Sequence, residues 1–410
     1  MNYTLNYSGG QSGRRIKLNG SKSISNRVLI IQALCGASFS ISNLSNAKDT
    51  TTLDTLLAHI SDGAVLDTGA AGTTFRFLTA YLAFQEGSQT LTGSDRMKER
   101  PIKVLVEALR KLGANIKYLE REGYPPLQIN SAVYNGVEEI ELPADVSSQY
   151  ISALMLIAPY LPNGLKIKLT GEIVSLPYLM MTKNLISFFG GDVGFEEDTF
   201  TLRPSTYTAK TFQVEGDWSA ASYYYAVVAF EQKGFQLELE GIHQDSLQGD
   251  HVMTEIGRHF GVETSFDNSM ATLSKISDVE KGRFHYDFML CPDIAQTVSV
   301  MMAGLGVQGK LTGLKTLRIK ETDRIQALRV ELAKIAVKVD DHGQEDNFTQ
   351  EGKFDLSETP SFDTYEDHRM AMALASLAIY DTIQINEPNV VNKSYPEFWN
   401  DLKKIGFIVR

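Results

Sequence analysis

Basic side chains cluster in this sequence where helices should begin. GSKSISNR sets Ser21, Lys22, Ser23 and Arg27 at the start of the apolar run 28–35. SDRMKERPI carries Arg96, Lys98 and Arg100 just ahead of a helix that Pro101 is suited to start. In RIKETDRIQAL, Lys320 and Arg324 are four apart with Glu321 between them, so on a helix the two cations share a side and Glu321 reaches Arg324. YEDHRMAMA puts Asp367, His368 and Arg369 before another apolar helix, and NKSYPEFW adds Lys393. Free backbone N–H groups and the dipole at a helix start already favour an anion, and these side chains add full charges. Each segment alone also has an ordinary reading: a capping Ser or Asp, a surface ion pair, a solvated charge run. Together they come from both halves of an acidic chain, and if those ends face one another the expected cleft is a cage for two phosphate or carboxylate groups. Ser147, Ser148 and Gln149 of SSQY, with Ser175 and Tyr178 of SLPY, supply neutral donors for a polyhydroxy ring, or simply cap helices.

The elements that must position these residues repeat. An amphipathic helix, a small residue at its end and a short apolar strand recur at Gly63, Gly113, Gly190, Gly261, Ala336 and Gly406, roughly every 70 residues. A small residue at that offset suits the left-handed position that closes a helix. The copies group as three plus three, because LNGSKSISNRVLI lines up with VEGDWSAASYYYA, Gly20 on Gly216 and Ser23 on Ser219. The expected architecture is α/β, with two similar domains: residues 20–216, and residues 1–19 joined to 217–410, with the chain crossing near Gly20 and Gly216.

Composition narrows the function. The 410 residues carry 39 Lys and Arg against 50 Asp and Glu, a net charge of −11, which disfavours a nucleic-acid binder that works by phosphate neutralisation. The two cysteines, Cys35 and Cys291, lie in apolar stretches and read as buried, reduced thiols of a cytoplasmic protein. No run approaches the roughly 18 apolar residues of a membrane span. The seven histidines form no metal-ligand motif, and no GxxxxGK[ST] or GxSxG is present. Gly304-Leu-Gly306-Val-Gln-Gly309 matches GxGxxG, but it follows a helix-like run and precedes a strand, the reverse of a dinucleotide site.

Taken in order, GSKSISNR, AAGTTFR, DRMKERPI, SSQY, SLPY, PDIAQT, KETDR, DHRMAMA and NKSYPEFW resemble the EPSP synthase (3-phosphoshikimate 1-carboxyvinyltransferase) family of enolpyruvyl transferases over nearly the whole chain. The resemblance implies an inside-out α/β barrel fold, two domains of three βαβαββ units each. It implies transfer of the enolpyruvyl group of phosphoenolpyruvate to the 5-hydroxyl of shikimate 3-phosphate, with no metal or organic cofactor, by a monomer. Carried over residue by residue, it assigns Lys22, Ser23, Arg27, Ser147, Ser148, Gln149, Ser175, Tyr178, Asp293, Thr316 and Lys320 to shikimate 3-phosphate. Lys22, Gly72, Arg96, Gln149, Arg324, Arg369 and Lys393 go to phosphoenolpyruvate. Family members often have Asn where Ala70 and Thr316 stand; Thr316 still donates a hydrogen bond, whereas Ala70 does not. The chemistry needs one base and one acid in a dry site, and the expected catalytic residues are Asp293 for the hydroxyl proton and Glu321 for the methylene, with Lys22 sharing the donor role. The sibling family that acts on UDP-N-acetylglucosamine usually carries a Cys before the DRMKERPI segment, and residues 84–101 contain none.

Overall fold

A computed structural model describes residues 1–145, 147–279, 282–355 and 358–410. The chain divides into two compact units, Met1–Gly20 with Glu215–Arg410, and Ser21–Val214. Both are built from one repeat. In Ser21–Val214 a complete copy runs strand Val65–Asp67, helix Gly72–Leu82, strand Ser88–Thr92, helix Lys103–Lys111, strands Asn115–Tyr118 and Leu127–Asn130. The first two strands are parallel and the last slots antiparallel between the second and third. The two-residue period buries Leu66, Leu91, Leu127, Ile129 and Ile116 on the helix side of that sheet. The same strand order recurs in four further sheets, three of them in the other unit. There Asn2–Tyr7 and Arg14–Lys17 complete sheets begun late in the chain.

The sixth copy is abbreviated. Helices Lys22–Cys35 and Lys48–Ala58 accompany only a two-stranded parallel pair, Ile41–Ser42 with Phe212–Gln213. The strand after Gly63 opens the next sheet instead of closing this one. The small residues that end the repeats are all left-handed, with φ of +74° to +104° at the five glycines and +60° at Ala336. At Gly113 a Cβ would stand 2.6 Å from the Val133 carbonyl oxygen, so the close approach also requires glycine.

Helices lie inside and sheets outside. Trp218–Phe230 buries Trp218 and every residue from Ala220 to Phe230, the mark of a helix surrounded by protein. It packs with Ala295–Leu305 and His368–Ala375; in the other unit Lys22–Cys35, Gly72–Leu82 and Ser148–Ile157 pack together in the same way. Among the described residues no helix is long and apolar enough to cross a membrane.

Several local expectations change. The first helix starts at Lys22, a turn and a half ahead of the apolar run, and Ser21 at its N-cap makes no capping bond. Lys320 and Glu321 do not share a helix with Arg324: Asp323 caps Arg324–Ala333, accepting from the Ile325 and Gln326 amides, so the helix begins after them. Arg96 and Lys98 occupy a short helix of their own, Asp95–Lys98. Cys35 is half-buried and donates to the Tyr207 carbonyl, while Cys291 is buried. The GxGxxG match ends a helix at left-handed Gly306 and enters strand Gln308–Thr312.

Candidate active site

In the unit Met1–Gly20 with Glu215–Arg410, the N-terminal ends of the three central helices meet, and their side chains bond to one another. Asp293, in the turn Pro292–Ile294 that leads into Ala295–Leu305, accepts from Arg369 Nη2 at 2.9 Å, while Arg369 Nη1 donates to the Asp293 carbonyl at 3.0 Å. Arg324 Nη1 stands 3.3 Å from Asp293 Oδ1 and Lys320 Nζ 3.5 Å from it. Arg324 also donates Nη2 to Glu321 at 2.9 Å and Nε to Asp367 at 2.7 Å, and Lys393 Nζ reaches the second Glu321 oxygen at 2.9 Å. Asp367, fully buried, caps His368–Ala375 by accepting from the Arg369 amide. Arg369 Nη2 further donates to the Ser219 hydroxyl at 3.3 Å, and Ser219 donates to Asp250.

Four cations thus face Asp293, Glu321 and Asp367. Burial would raise the Asp293 carboxyl, but Arg369, Lys320 and Arg324 outweigh it and hold it far below the usual carboxylate range. Arg324 shows the converse: burial lowers it, and Asp367, Glu321 and Asp293 raise it above its ordinary value. Burial lowers Lys320 despite Asp293. Guanidinium forks engaged by carboxylates are already aimed and already stripped of water, so another carboxylate or a phosphate can take their place without reorganisation.

Ser21–Val214 gathers a second set. Lys22 Nζ lies 3.4 Å from Asp49, at the start of Lys48–Ala58. Arg27 is buried and donates to the Thr182 and Ser152 hydroxyls and to the Ser23 and Tyr178 carbonyls. None of those acceptors is a carboxylate, and burial draws the guanidinium down to about 10, still charged at neutral pH. A buried cation without a counter-charge is costly and raises the potential for anions nearby. Ser147 caps the helix that presents Ser148 and Gln149, and Gln149 Nε2 donates to Thr73 at 3.1 Å, tying that helix to the start of Gly72–Leu82. A Cβ at Gly72 would meet the Arg100 guanidinium at 2.6 Å. Arg96 forms an ion pair with Glu99 at 2.9 Å, Ser175 holds a left-handed N-cap with φ +58°, and the buried Thr316 hydroxyl has no hydrogen-bond partner among the described residues.

The geometry therefore joins Asp293, Lys320, Glu321, Arg324, Arg369 and Lys393 directly, and Lys22, Ser23, Arg27, Gln149 and Tyr178 to polar neighbours in the other unit. Sequence reasoning missed Asp49, Thr73, Ser219 and Asp250. The alignment of Ser219 with Ser23 was a signal for one of them, and Asp49 and Asp250 both occur where the second helix of a repeat begins. Among the described residues no group of three or more His, Cys, Asp or Glu is placed to hold a metal ion.

Fold and side-chain arrangement together define an α/β protein with helices inside and cationic side chains gathered near helix starts in each unit, and solved structures share that fold. An EPSP synthase from Acinetobacter baumannii, 20% identical, superposes with a TM-score of 0.78 over all of both chains, a likeness of fold. A family model described as EPSP synthase (3-phosphoshikimate 1-carboxyvinyltransferase) matches residues 58–402. A 3-phosphoshikimate 1-carboxyvinyltransferase of Bacteroides fragilis (strain YCH46) is 46% identical over 96% of each chain. One of Sulfurovum sp. (strain NBC37-1) is 35% identical over 95% of this chain and 96% of its own. The chain belongs to the EPSP synthase family.

Proposed function

We propose that this chain transfers the enolpyruvyl group of phosphoenolpyruvate to the 5-hydroxyl of shikimate 3-phosphate, releasing phosphate. The observation that carries the reading is the arrangement of Asp293 and Glu321 on either side of Arg324, inside a ring of four cations. The hydroxyl oxygen bonds to C2 of phosphoenolpyruvate as Asp293 takes its proton, and Glu321 supplies a proton to C3, a donor role in which Lys22 shares. In the resulting tetrahedral adduct the bond from C2 to the phosphate oxygen then breaks, C3 returns its proton to Glu321, the departing phosphate takes the proton held by Asp293, and the enol ether and inorganic phosphate leave.

Arg324, Arg369 and Lys393, with Lys22, Gly72, Arg96 and Gln149, serve the phosphate and carboxylate of phosphoenolpyruvate. Lys22, Ser23, Ser147, Ser148, Gln149, Ser175, Tyr178, Asp293, Thr316 and Lys320 serve shikimate 3-phosphate, with Arg27 acting as the charge behind them. The ion pairs explain how one site runs both proton transfers. With the cations spent on Asp293, that carboxylate is ionised but a weak base. A multiply charged ligand that takes over Arg324, Arg369 and Lys393 withdraws those cations, restores basicity at Asp293 and favours a neutral, proton-bearing Glu321. Acid–base chemistry is then switched on by the substrate. Purified protein supplied with both substrates is expected to release phosphate one for one with enol ether. Release from phosphoenolpyruvate alone, or none with both, would remove the proposal.

A further inference from the structure

We propose that Asp250 is a positioning residue for this reaction: its carboxylate fixes the proton of the Ser219 hydroxyl, so that the hydroxyl oxygen holds the Arg369 guanidinium against Asp293. A serine hydroxyl carries a single proton, and a guanidinium only donates. Arg369 Nη2 lies 3.3 Å from Ser219 Oγ, so that oxygen must accept from it and its own proton must point elsewhere. Asp250 Oδ2 receives it. Arg369 to Ser219 to Asp250 is thus the single direction the chain of bonds can take. Without the carboxylate the hydroxyl proton is no longer pinned and can turn toward the guanidinium, donor against donor.

The device is built in. Asp250 is only 3% exposed. It sits in the turn Gly249–Val252, whose preceding residue Gln248 clamps the start of Trp218–Phe230: the Trp218 amide donates to Gln248 Oε1 at 3.0 Å and Gln248 Nε2 donates to the Gly216 carbonyl at 2.8 Å. The other unit places an acid likewise, Asp49 at the start of a repeat's second helix, where it takes Lys22 from the first turn of the first helix. Stability does not account for Asp250. Burial, and next the Asp293 carboxylate, push it up to about 6. An unfolded aspartate titrates near 3.9, so the group favours the fold below that pH and loses this contribution as pH rises through the folded value. At neutral pH its charge is held at a cost to the fold.

The inference rests on Arg369 holding phosphoenolpyruvate, and the test separates the two. Asp250→Leu, which keeps the bulk and removes the acceptor, and Ser219→Ala are made singly and together, beside Arg369→Ala. Loss of a hydrogen bond to a charged group predicts a rise in KM for phosphoenolpyruvate of about tenfold in each single variant, with kcat much less affected and KM for shikimate 3-phosphate unchanged. The double variant is expected to match the worse single, because one chain has been cut twice. Tm of Asp250→Leu at pH 7.5 is expected to hold or rise. An unchanged KM in both single variants, or multiplied effects in the double, overturns the proposal, as does a fall in Tm of Asp250→Leu without a change in KM. If Asp250→Leu fails to fold, Ser219→Ala decides alone, by raising that KM or leaving it. If Arg369→Ala itself leaves affinity for phosphoenolpyruvate intact, the underlying site reading falls instead.

Discussion

In the proposed reaction Asp293 concentrates the chemistry at the scale of a residue. Three cations keep it ionised, and its position beside Arg369 and Arg324 puts it among the groups that would hold the phosphate donor. Replacing it by Asn keeps the shape and removes the proposed base. Asp293→Asn is expected to bind both substrates and to lose about a thousandfold in kcat, within the usual worth of a general base; equilibrium binding and steady-state rates measure the two, and unchanged turnover would take Asp293 out of the mechanism. Stability shifts with it in a definite direction. The folded carboxyl titrates below the unfolded value near 3.9, so its ion pairs stabilise the fold above that pH and lose this contribution as pH falls toward the folded value. The variant's deficit in Tm should therefore be full at pH 7 and shrink on acidification. The cations were legible residue by residue because their types stand at helix starts, as Arg324 and Arg369 do, or in the loops beside them, as Lys320 and Lys393 do. Asp250 was not: nothing in LQGDHV marks it until the fold brings it to Ser219.

At the scale of an element, the cap decides which side chains face the site. Asp323 accepts from the Ile325 and Gln326 amides at 3.1 Å each and from Arg318 Nη1 at 3.1 Å, which fixes Arg324 as the first helical residue and leaves Lys320 and Glu321 in the preceding loop. Asp323→Ala is expected to cost about 1 kcal/mol in urea unfolding, the usual worth of an N-cap, and to lower kcat/KM as well, because Glu321 and Arg324 are set by the same turn. A stability loss with unaltered kcat/KM would separate the cap from the site. Helical spacing was the wrong route to Lys320 and Arg324, yet Glu321 and Arg324 still meet, since the polypeptide folds back at the cap and keeps them three residues apart in reach. The repeat was plain in the sequence because a small residue in left-handed conformation stands between helix and strand each time. The abbreviated copy was hidden, because the apolar strand after Gly63 looks the same whether it closes one sheet or opens another.

For the whole molecule, a net charge of −11 coexists with a cluster in which Lys320, Arg324, Arg369 and Lys393 meet around Asp293, Glu321 and Asp367. The fold makes this possible: three buried helices per unit begin close together, so a few residues each contribute one charge to one place, while the acidic excess spreads over the exterior. Fold class and family were readable from repeat length and motif order, which are properties of the chain. The order of the bonds within the site, and the neutralisation of its cations by its own acids, depend on tertiary contact and had to be seen. The central claim is that one acid and one base in this cluster add a hydroxyl across the double bond of phosphoenolpyruvate and then reverse the proton transfers. Turnover of both substrates in D2O, with mass analysis of the product's methylene group, tests it most directly. Passage through a methyl-bearing adduct predicts solvent deuterium in that methylene, and an enol ether formed without deuterium would contradict it.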